Sequence, residues 1–326
     1  MPYDPKLTHI YGKSKVVRFG QWFDYINEST GEASQLFEVP CGKCIECLKA
    51  KRRAWSERLQ LEASCYPEGQ TWFITLTYDE EHISLCPEGR LGLHSLVYEH
   101  FTAFIKRLRD YVYRSPEADY IRLLSGDRKL RYFIGCEYGD RFARPHCHII
   151  LFGLDLSQCG ELLLYSETPE GKIFSSAFIS RFWTYGFNTV IVASPGNMSY
   201  VTGYVNKKLE KTEDYLSRGL KPEKCFMSTK PAIGTEFFES NKDLIKECGG
   251  YVNPYTGSFH RVPRSSLRNV FADDKVFVGQ VNQRKKISAI RSLDLEDDLR
   301  GERAEIARAR NALIEAQEIR ISRKKL

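Results

Sequence analysis

The sequence predicts an α+β fold built on an antiparallel sheet. Its predicted strands and helices follow one another in a mixed order, whereas strict alternation would favour a parallel sheet. Residues 71–78 are aromatic and β-branched, which favours a strand that is buried on at least one face. Between Ser95 and Tyr113, apolar residues recur at helical spacing. Hydrophobic residues make up 42% of the 326 residues and charged residues 28%, which excludes a wholly disordered or collagen-like chain.

Turn residues and residue type locate the remaining elements. Before residue 71, we predict a hairpin within residues 15–40, with strands at 16–19 and 35–39, and then a Cys-rich helix that ends near residue 64. After residue 113, we predict strands at 131–138 and 146–152, a short helix at 176–183 and a strand at 188–192. Pro195-Gly196-Asn197 then introduces a helix at 199–209. Residues 225–280 give a poor periodic signal, and a charged helix is expected from Lys286 onward.

The charge balance permits a polyanionic partner without requiring one. Lys and Arg outnumber Asp and Glu by 48 to 42, a net charge of +6. No apolar run approaches the ~18 residues of a membrane span, and the first residues lack the basic and apolar regions of a signal peptide. Ten cysteines without a secretory signal suggest a reducing compartment, so we expect a cytoplasmic protein with no membrane partner.

Two histidines form the first candidate site. In a strand, His146 and His148 project from one face, while Cys147 points into the opposite layer. Two neutral imidazoles at this spacing are half of a divalent-metal site. An antiparallel return through the preceding loop would bring Glu137 beside them, and two His with one carboxylate leave open positions for a phosphate oxygen and water. The competing interpretations are partly buried or cross-strand-paired histidines and a solvated Glu137.

A pair of tyrosines forms the second candidate site. On a helix, Tyr200 and Tyr204 would present two phenols on one face, with Lys207 one turn further on. A phenol with a pKa near ~10 is a poor nucleophile at neutral pH, but a metal ion or an adjacent ammonium can stabilise its anion. The competing interpretation is an aromatic stripe packed against the sheet.

The Cys-rich helix offers two further candidate sites. Cys41, Cys44 and Cys47 present three thiolates. A closed zinc site needs four ligands, so a structural zinc site and free thiols stay open as alternatives. Downstream, Arg52 and Arg53 belong to a basic helical face suited to phosphate contacts, which would otherwise be a solvated helix surface.

Three motifs in order resemble those of one enzyme superfamily. Thr75-Leu76-Thr77, then His146-Cys147-His148, then Tyr200 and Tyr204 followed by Lys207 resemble the three motifs of the HUH endonucleases, the rolling-circle replication initiators. The doubled tyrosine is similar to the two-tyrosine subgroup, which includes the initiators of microviruses. Residues 39–44 and 226–228 resemble those of the gokushovirus branch, and the resemblance extends over residues 35–240.

This resemblance implies a central five-stranded antiparallel sheet flanked by helices. It also implies three segments: an N-terminal hairpin and Cys-rich basic helix packed on the core at residues 1–66, a nickase core at residues 67–240, and a C-terminal extension with a charged helix at residues 241–326.

The resemblance further implies an endonuclease that nicks single-stranded DNA at a replication origin. His146, His148 and Glu137 would hold Mg²⁺ or Mn²⁺. A tyrosine oxygen would attack the scissile phosphate, which leaves a 5′-phosphotyrosine and a free 3′-hydroxyl for the replication machinery of a bacterial host. The protein–DNA bond would allow rejoining without ATP. Lys207 would hold the phosphate or stabilise the phenolate. Thr75 and Thr77 would be scaffold or DNA-contact residues, and further DNA contacts would come from Arg144, Lys208, Arg52 and Arg53.

Three other functions stay open at this point. They are a non-catalytic DNA-binding protein that contains zinc, a phosphohydrolase that uses a water nucleophile, and a single-strand transposase or relaxase of the same superfamily. Relaxases typically carry a third histidine in the motif and an N-terminal tyrosine, and neither pattern is present in this sequence.

Overall fold

The structure of the protein is a computed structural model. It describes residues 8–10, 14–16, 25–26, 33–34, 45–125, 129–139, 142–168, 171–204 and 213–284. The chain divides into two compact units, one of residues 1–237 with 253–258 and the other of residues 238–252 with 259–326. Within the described ranges, no helix has both the length and the apolarity that crossing a membrane requires.

An antiparallel sheet of seven strands forms the centre of the first unit. Four short strands precede it and form two separate pairs, β1 (Thr8–Ile10) with β2 (Ser14–Val16) and β3 (Tyr25–Ile26) with β4 (Ala33–Ser34). The seven strands are β5 (Thr71–Tyr78), β6 (Arg131–Tyr138), β7 (Pro145–Phe152), β8 (Leu162–Thr168), β9 (Gly171–Ser176), β10 (Gly186–Val192) and β11 (Lys224–Met227). Their order across the sheet is β11-β6-β7-β5-β10-β9-β8, and neighbouring strands are antiparallel.

The helices of the described ranges fall before, between and after these strands. They include α1 (Ile45–Ala63), α2 (Tyr98–Arg114), α3 (Asp119–Ser125), α4 (Ala177–Ser180), α5 (Pro195–Thr202), α6 (Thr235–Ser240), α7 (Lys242–Cys248) and α8 (Arg264–Asn269). The second unit also contains the short pair β12 (Tyr251–Val252) and β13 (Phe259–His260). Within that unit, Lys246 Nζ lies 2.7 Å from Asp274 Oδ2.

One face of the sheet forms the main core with α2. Alternate residues of β5 are buried on this face, because successive side chains of a strand point to opposite sides. The helix contributes the apolar residues that its spacing predicted, and these are all buried: Phe101, Phe104, Ile105, Leu108 and Val112. The predicted strand at 71–78 is therefore confirmed. The predicted helix at 95–113 is also confirmed, but it begins at Tyr98 rather than at Ser95.

The opposite face of the sheet is covered by α1 and α5. Phe133 and Ile150, from the two neighbouring strands β6 and β7, are buried there against Leu59 of α1 and Met198 and Val201 of α5. Strands β6 and β7 are buried almost throughout, because helices cover both of their faces. This second layer positions the candidate site.

The prediction of five strands is wrong, because the sheet has seven. Sequence reasoning missed β8, β9 and β11, which lie towards the two edges. Leu163 and Leu164 of β8 are 55% and 58% exposed, and a β-bulge between Leu164 and Ser166 interrupts the pairing. A strand with exposed apolar residues and a bulge shows no alternation of apolar and polar residues. Strand β11 has four half-buried residues, too few for a periodic signal.

Other predicted boundaries also shift. Helix α5 begins at Pro195 rather than near residue 199, and the helix predicted at 176–183 is limited to Ala177–Ser180. Val16 pairs with Thr8 instead of with the segment 35–39. Residues 17–19 and 35–39, and the charged tail predicted from Lys286, lie outside the described residues.

Candidate functional site

The register of three strands brings the predicted side chains together. Glu137 of β6 lies opposite His146 of β7, and Gly135 lies opposite His148. On the other side of β7, His148 lies opposite Thr75 of β5. Directly opposed residues of an antiparallel pair share one face of the sheet. The carboxylate and both imidazoles therefore meet on the face that α1 and α5 cover.

Glu137 is the centre of this group. Its Oε1 atom lies 3.0 Å from His146 Nε2 and 3.0 Å from His148 Nε2. One ligand atom from each of the three residues lies within 4.8 Å of the other two. The side chains of Glu137 and His148 are 6% and 9% exposed, and that of His146 is 14% exposed. Cys147 points to the other face and is fully buried, as predicted. The three residues form a buried group that could hold a metal ion.

The hydrogen bond of His146 to the backbone leaves its other ring nitrogen able to bind a cation. Its Nδ1 lies 3.0 Å from the carbonyl oxygen of Arg144, which can only accept, so the neutral ring carries its proton on Nδ1. The lone pair on Nε2 then faces a carboxylate oxygen of Glu137 at 3.0 Å. Two acceptors at this distance need a cation or a proton between them. Two imidazole nitrogens and one carboxylate oxygen therefore fit a divalent metal ion with open positions.

His148 is oriented by its own partners. Its Nδ1 lies 2.9 Å from Thr75 Oγ1, a hydroxyl that can accept the ring proton. The rings of Phe73 and Tyr204 lie nearly parallel to the imidazole, with centroids 5.2 and 5.8 Å away. The hydroxyl of Thr75, predicted to be a scaffold or DNA-contact residue, faces the imidazole. Such a partner fixes the tautomer and the orientation of a metal-binding histidine.

Helix α5 brings Tyr200 to the carboxylate. The helix begins with a capping box, in which Ser194 Oγ accepts from the Asn197 backbone and the Asn197 side chain accepts from the Ser194 backbone. The hydroxyl of Tyr200 donates to Glu137 Oε1 at 3.4 Å. The side chain of Tyr200 is 48% exposed. An accessible phenol therefore lies beside the candidate metal-binding group.

Tyr204, the second predicted tyrosine, is in a different environment. It is 3% exposed, and its ring packs in the layer between the sheet and α1. Burial raises the pKa of the Tyr204 phenol well above its ordinary value, and hydrogen bonds with Glu137 and Tyr200 raise it further. The structure brings both tyrosines to the group, but only Tyr200 of the two is accessible.

Gly135 makes room for Tyr204, and sequence reasoning missed it. A Cβ atom at this position would lie 2.7 Å from Tyr204 Cδ2 and 3.3 Å from Val201 Cγ2. Any side chain on Gly135 would therefore force the Tyr204 ring to shift. The signal was available, because an isolated glycine within a strand marks a site where another element approaches closely.

Two predicted DNA contacts are engaged with other parts of the protein. Arg144 donates to the carbonyl oxygen of Tyr78 at 2.9 Å and pairs with Glu80 at 2.5 Å. Thr77 donates to the carbonyl oxygen of Phe187 at 3.5 Å. Arg144 thereby connects the loop before β7 to the end of β5.

The predicted residues of α1 lie at its exposed surface. Arg52 Nε donates to the carbonyl oxygen of Ser199 at 2.9 Å, which links α1 to α5. Arg53 is exposed, and Cys47 is half-buried. The remaining predicted residues lie outside the described part of the chain: Lys207, Lys208, Cys41 and Cys44.

Comparison with known proteins gives a consistent set of relatives. A family model described as replication-associated protein ORF2/G2P matches residues 71–209, which begin with β5 and include α5. The replication-associated protein ORF2 of Spiroplasma virus 4 is 32% identical over 87% of this chain and 81% of its own length. Replication-associated protein VP4 of Bdellovibrio phage phiMH2K is 31% identical over 74% of this chain and 70% of its own length. Replication-associated protein ORF4 of Chlamydia phage 1 is 29% identical over 74% of this chain and 56% of its own length. No solved structure matches the chain significantly. With this degree of identity over most of both chains, the protein belongs to the replication-associated protein ORF2/G2P family.

Proposed function

We propose that the chain is an HUH-type replication initiator that nicks single-stranded DNA by tyrosine transesterification and then rejoins it. The observation that carries this proposal is the meeting of Glu137, His146 and His148 with the hydroxyl of Tyr200, which lies 3.4 Å from the carboxylate. All four residues lie within the segment that matches the replication-associated family. A cation-binding group beside an accessible phenol supports phosphoryl transfer to tyrosine.

Glu137, His146 and His148 would hold Mg²⁺ or Mn²⁺. An ion bound there supplies Lewis-acid polarisation of a phosphate oxygen. The chain orients its imidazoles for this task through their Nδ1 atoms, which meet the Arg144 carbonyl and the Thr75 hydroxyl. Each Nε2 lone pair is thereby directed towards the carboxylate.

Tyr200 is assigned the first cleavage. Its phenol is 48% exposed, so a phosphate can reach it without displacement of Tyr204, which is 3% exposed. A bond forms between the tyrosine oxygen and phosphorus, and the bond between phosphorus and the 3′ oxygen breaks. The Tyr200 phenol loses its proton to water, and the 3′ oxygen takes a proton from water. The products are a 5′-phosphotyrosine and a free 3′-hydroxyl.

Tyr204 is assigned the second cleavage, made while Tyr200 carries DNA. Its ring packs against His148, so it must become exposed before it can attack. The 3′-hydroxyl freed by the second cut would then attack the first phosphotyrosine. That step forms a phosphodiester, restores the Tyr200 phenol and releases a circle.

Further contacts with the DNA come from basic residues. Arg53 on the exposed surface of α1, together with Lys208, would bind phosphates, and Lys207 would hold the scissile phosphate or stabilise the phenolate. Arg52 and Arg144 already donate to backbone carbonyl groups, so they would contact DNA with their remaining N–H groups. The free 3′-hydroxyl would be extended by the replication machinery of the host.

A denaturing gel tests this proposal. Single-stranded oligonucleotides that tile the genome encoding this chain are labelled at the 3′ end and incubated with protein and Mn²⁺. We expect a labelled protein–DNA adduct, which Tyr200→Phe reduces more strongly than Tyr204→Phe and which the double variant does not form. Tyr165→Phe, at an exposed tyrosine of β8, is the matched control and should leave the adduct unchanged. Changing both His146 and His148 to Ala should abolish cleavage but leave much of the DNA binding, which rests on phosphate contacts.

Other outcomes would identify a different function. Cleavage without an adduct would indicate a phosphohydrolase that uses water. Retention of DNA without cleavage by the wild-type protein would indicate a non-catalytic binding protein. An adduct in the double tyrosine variant would place the nucleophile elsewhere in the chain.

A further inference from the structure

A row of directly opposed residues extends from the candidate metal-binding group across four strands. Glu137 lies opposite His146, His146 opposite Thr77, and Thr77 opposite Phe187 of β10. Opposed residues of antiparallel strands share one face, so Phe187 is on the same face as the group. Neighbouring strands are about 4.8 Å apart, which places the Phe187 backbone about 10 Å from that of His146.

Phe187 is exposed, although nearby residues of its strand that point to the opposite face are buried. Its ring is 67% exposed, whereas Asn188 and Val190, which point to the opposite face, are 3% and 0% exposed. Burying a phenylalanine ring stabilises a fold, and this fold does not use the Phe187 ring for that purpose. A single exposed phenylalanine is common on protein surfaces. The position of this one, in line with the candidate metal-binding group, points to a ligand.

We propose that Phe187 is a stacking platform for one base of the single-stranded DNA whose phosphate lies at Glu137, His146 and His148. This inference rests on the proposed function and specifies how that site holds its substrate. An aromatic side chain can stack on a base of single-stranded DNA. In a duplex, the faces of each base are already covered by the neighbouring bases. Such stacking is tolerant of sequence, since every base has a π-face.

The backbone holds Phe187 in place before DNA binds. All seven residues from Gly186 to Val192 pair with β5. A Cβ atom on Gly186 would lie 2.4 Å from the backbone nitrogen of Asp79, so the chain is closely packed immediately before Phe187. An aromatic side chain on a rigid strand also loses little conformational entropy when it binds.

Anisotropy titrations of a fluorescein-labelled oligothymidine test the proposal, with metal removed by a chelator so that binding is measured without cleavage. Phe187→Ala should weaken binding by about 5- to 150-fold, the range for loss of one stacked base. Phe187→Tyr should bind within about twofold of wild type. Phe259→Ala, at a phenylalanine of the second unit that is 58% exposed, is the matched control and should also leave binding unchanged. The salt dependence should be the same for Phe187→Ala and wild type, because no phosphate contact is lost.

Two further measurements separate stacking from a structural role. An abasic oligonucleotide keeps its phosphates but has no bases. The ratio of the affinity for oligothymidine to the affinity for the abasic strand should therefore be larger for wild type than for Phe187→Ala. Tryptophan emission from Phe187→Trp should be quenched when oligothymidine binds. Wild-type affinity in Phe187→Ala, or equal discrimination against the abasic strand, would overturn the inference even if wild type forms the adduct. Absence of any oligothymidine binding by wild type would overturn this inference, while the adduct gel tests the proposed function separately.

Discussion

Replacing Thr75 by valine should weaken metal binding although Thr75 is not a metal ligand. Valine keeps the shape of threonine and removes the hydroxyl that lies 2.9 Å from His148 Nδ1. The imidazole then loses the hydroxyl that fixes its tautomer. Partners of this kind typically contribute 10- to 100-fold, about 1.4 to 2.8 kcal/mol, to metal affinity.

The structure places the expected effect near the lower limit of this range. The rings of Phe73 and Tyr204 lie parallel to the imidazole of His148, with interplanar angles of 10° and 12°. These contacts continue to hold the plane of the ring when the hydroxyl is removed. The variant should therefore lose the preference for one tautomer but keep the position of the ring, and we expect a Kd for Mn²⁺ about tenfold higher than that of wild type.

Titration calorimetry with Mn²⁺ measures this effect, and Thr77→Val provides the control. Thr77 lies two residues along the same strand, and its hydroxyl contacts the Phe187 carbonyl instead of an imidazole. Its replacement should leave the Kd for Mn²⁺ unchanged. Unchanged affinity in Thr75→Val, or an equal loss in both variants, would refute the role assigned to the Thr75 hydroxyl. In the gel assay, excess Mn²⁺ should restore adduct formation to Thr75→Val.

Two further changes test how the layers are held together. Gly135→Ala puts a Cβ atom 2.7 Å from the ring of Tyr204, so overpacking should lower the free energy of unfolding, measured in urea, by about 1–3 kcal/mol and should reduce adduct formation. A variant with wild-type stability would show that the Tyr204 ring can move away freely. Glu62→Gln removes the negative charge beside the guanidinium of Arg131, which is 4% exposed, and leaves a buried unpaired charge. It should cost about 3–5 kcal/mol in the same measurement, whereas Glu68→Gln at an exposed residue should change little.

The sequence predicted the central strands and the candidate metal-binding group because both depend on local signals. Residues 71–78 and 95–113 carry strong residue-type and periodic patterns. The position of Glu137 beside His146 and His148 followed from a short loop between two strands, since a tight antiparallel return leaves few possible registers. These features needed no knowledge of distant parts of the chain.

Features that depend on packing between distant segments were not predictable in the same way. The two tyrosines look alike in the sequence, but Tyr200 is 48% exposed and Tyr204 is 3% exposed. The difference arises because the second tyrosine fits over Gly135, on a strand far from it in sequence. The edge strands β8 and β11 were missed for a related reason, since their place in the sheet is set by pairing with neighbours rather than by burial of their own side chains.

Strand β6 meets two different requirements of the site, a ligand at one position and empty space at another position two residues away. Glu137 provides a carboxylate to the histidines, and Gly135 provides the absence of a side chain where Tyr204 packs. Because side chains alternate along a strand, a slip of one residue in the pairing of β6 with β7 would present Cys136 and Ile134 to this face instead. Cys136 would then replace the oxygen ligand of Glu137 with a thiol, and the side chain of Ile134 would occupy the space where Tyr204 packs. Burial of Ile134 and Cys136 in the opposite core therefore fixes the register on which the candidate site depends.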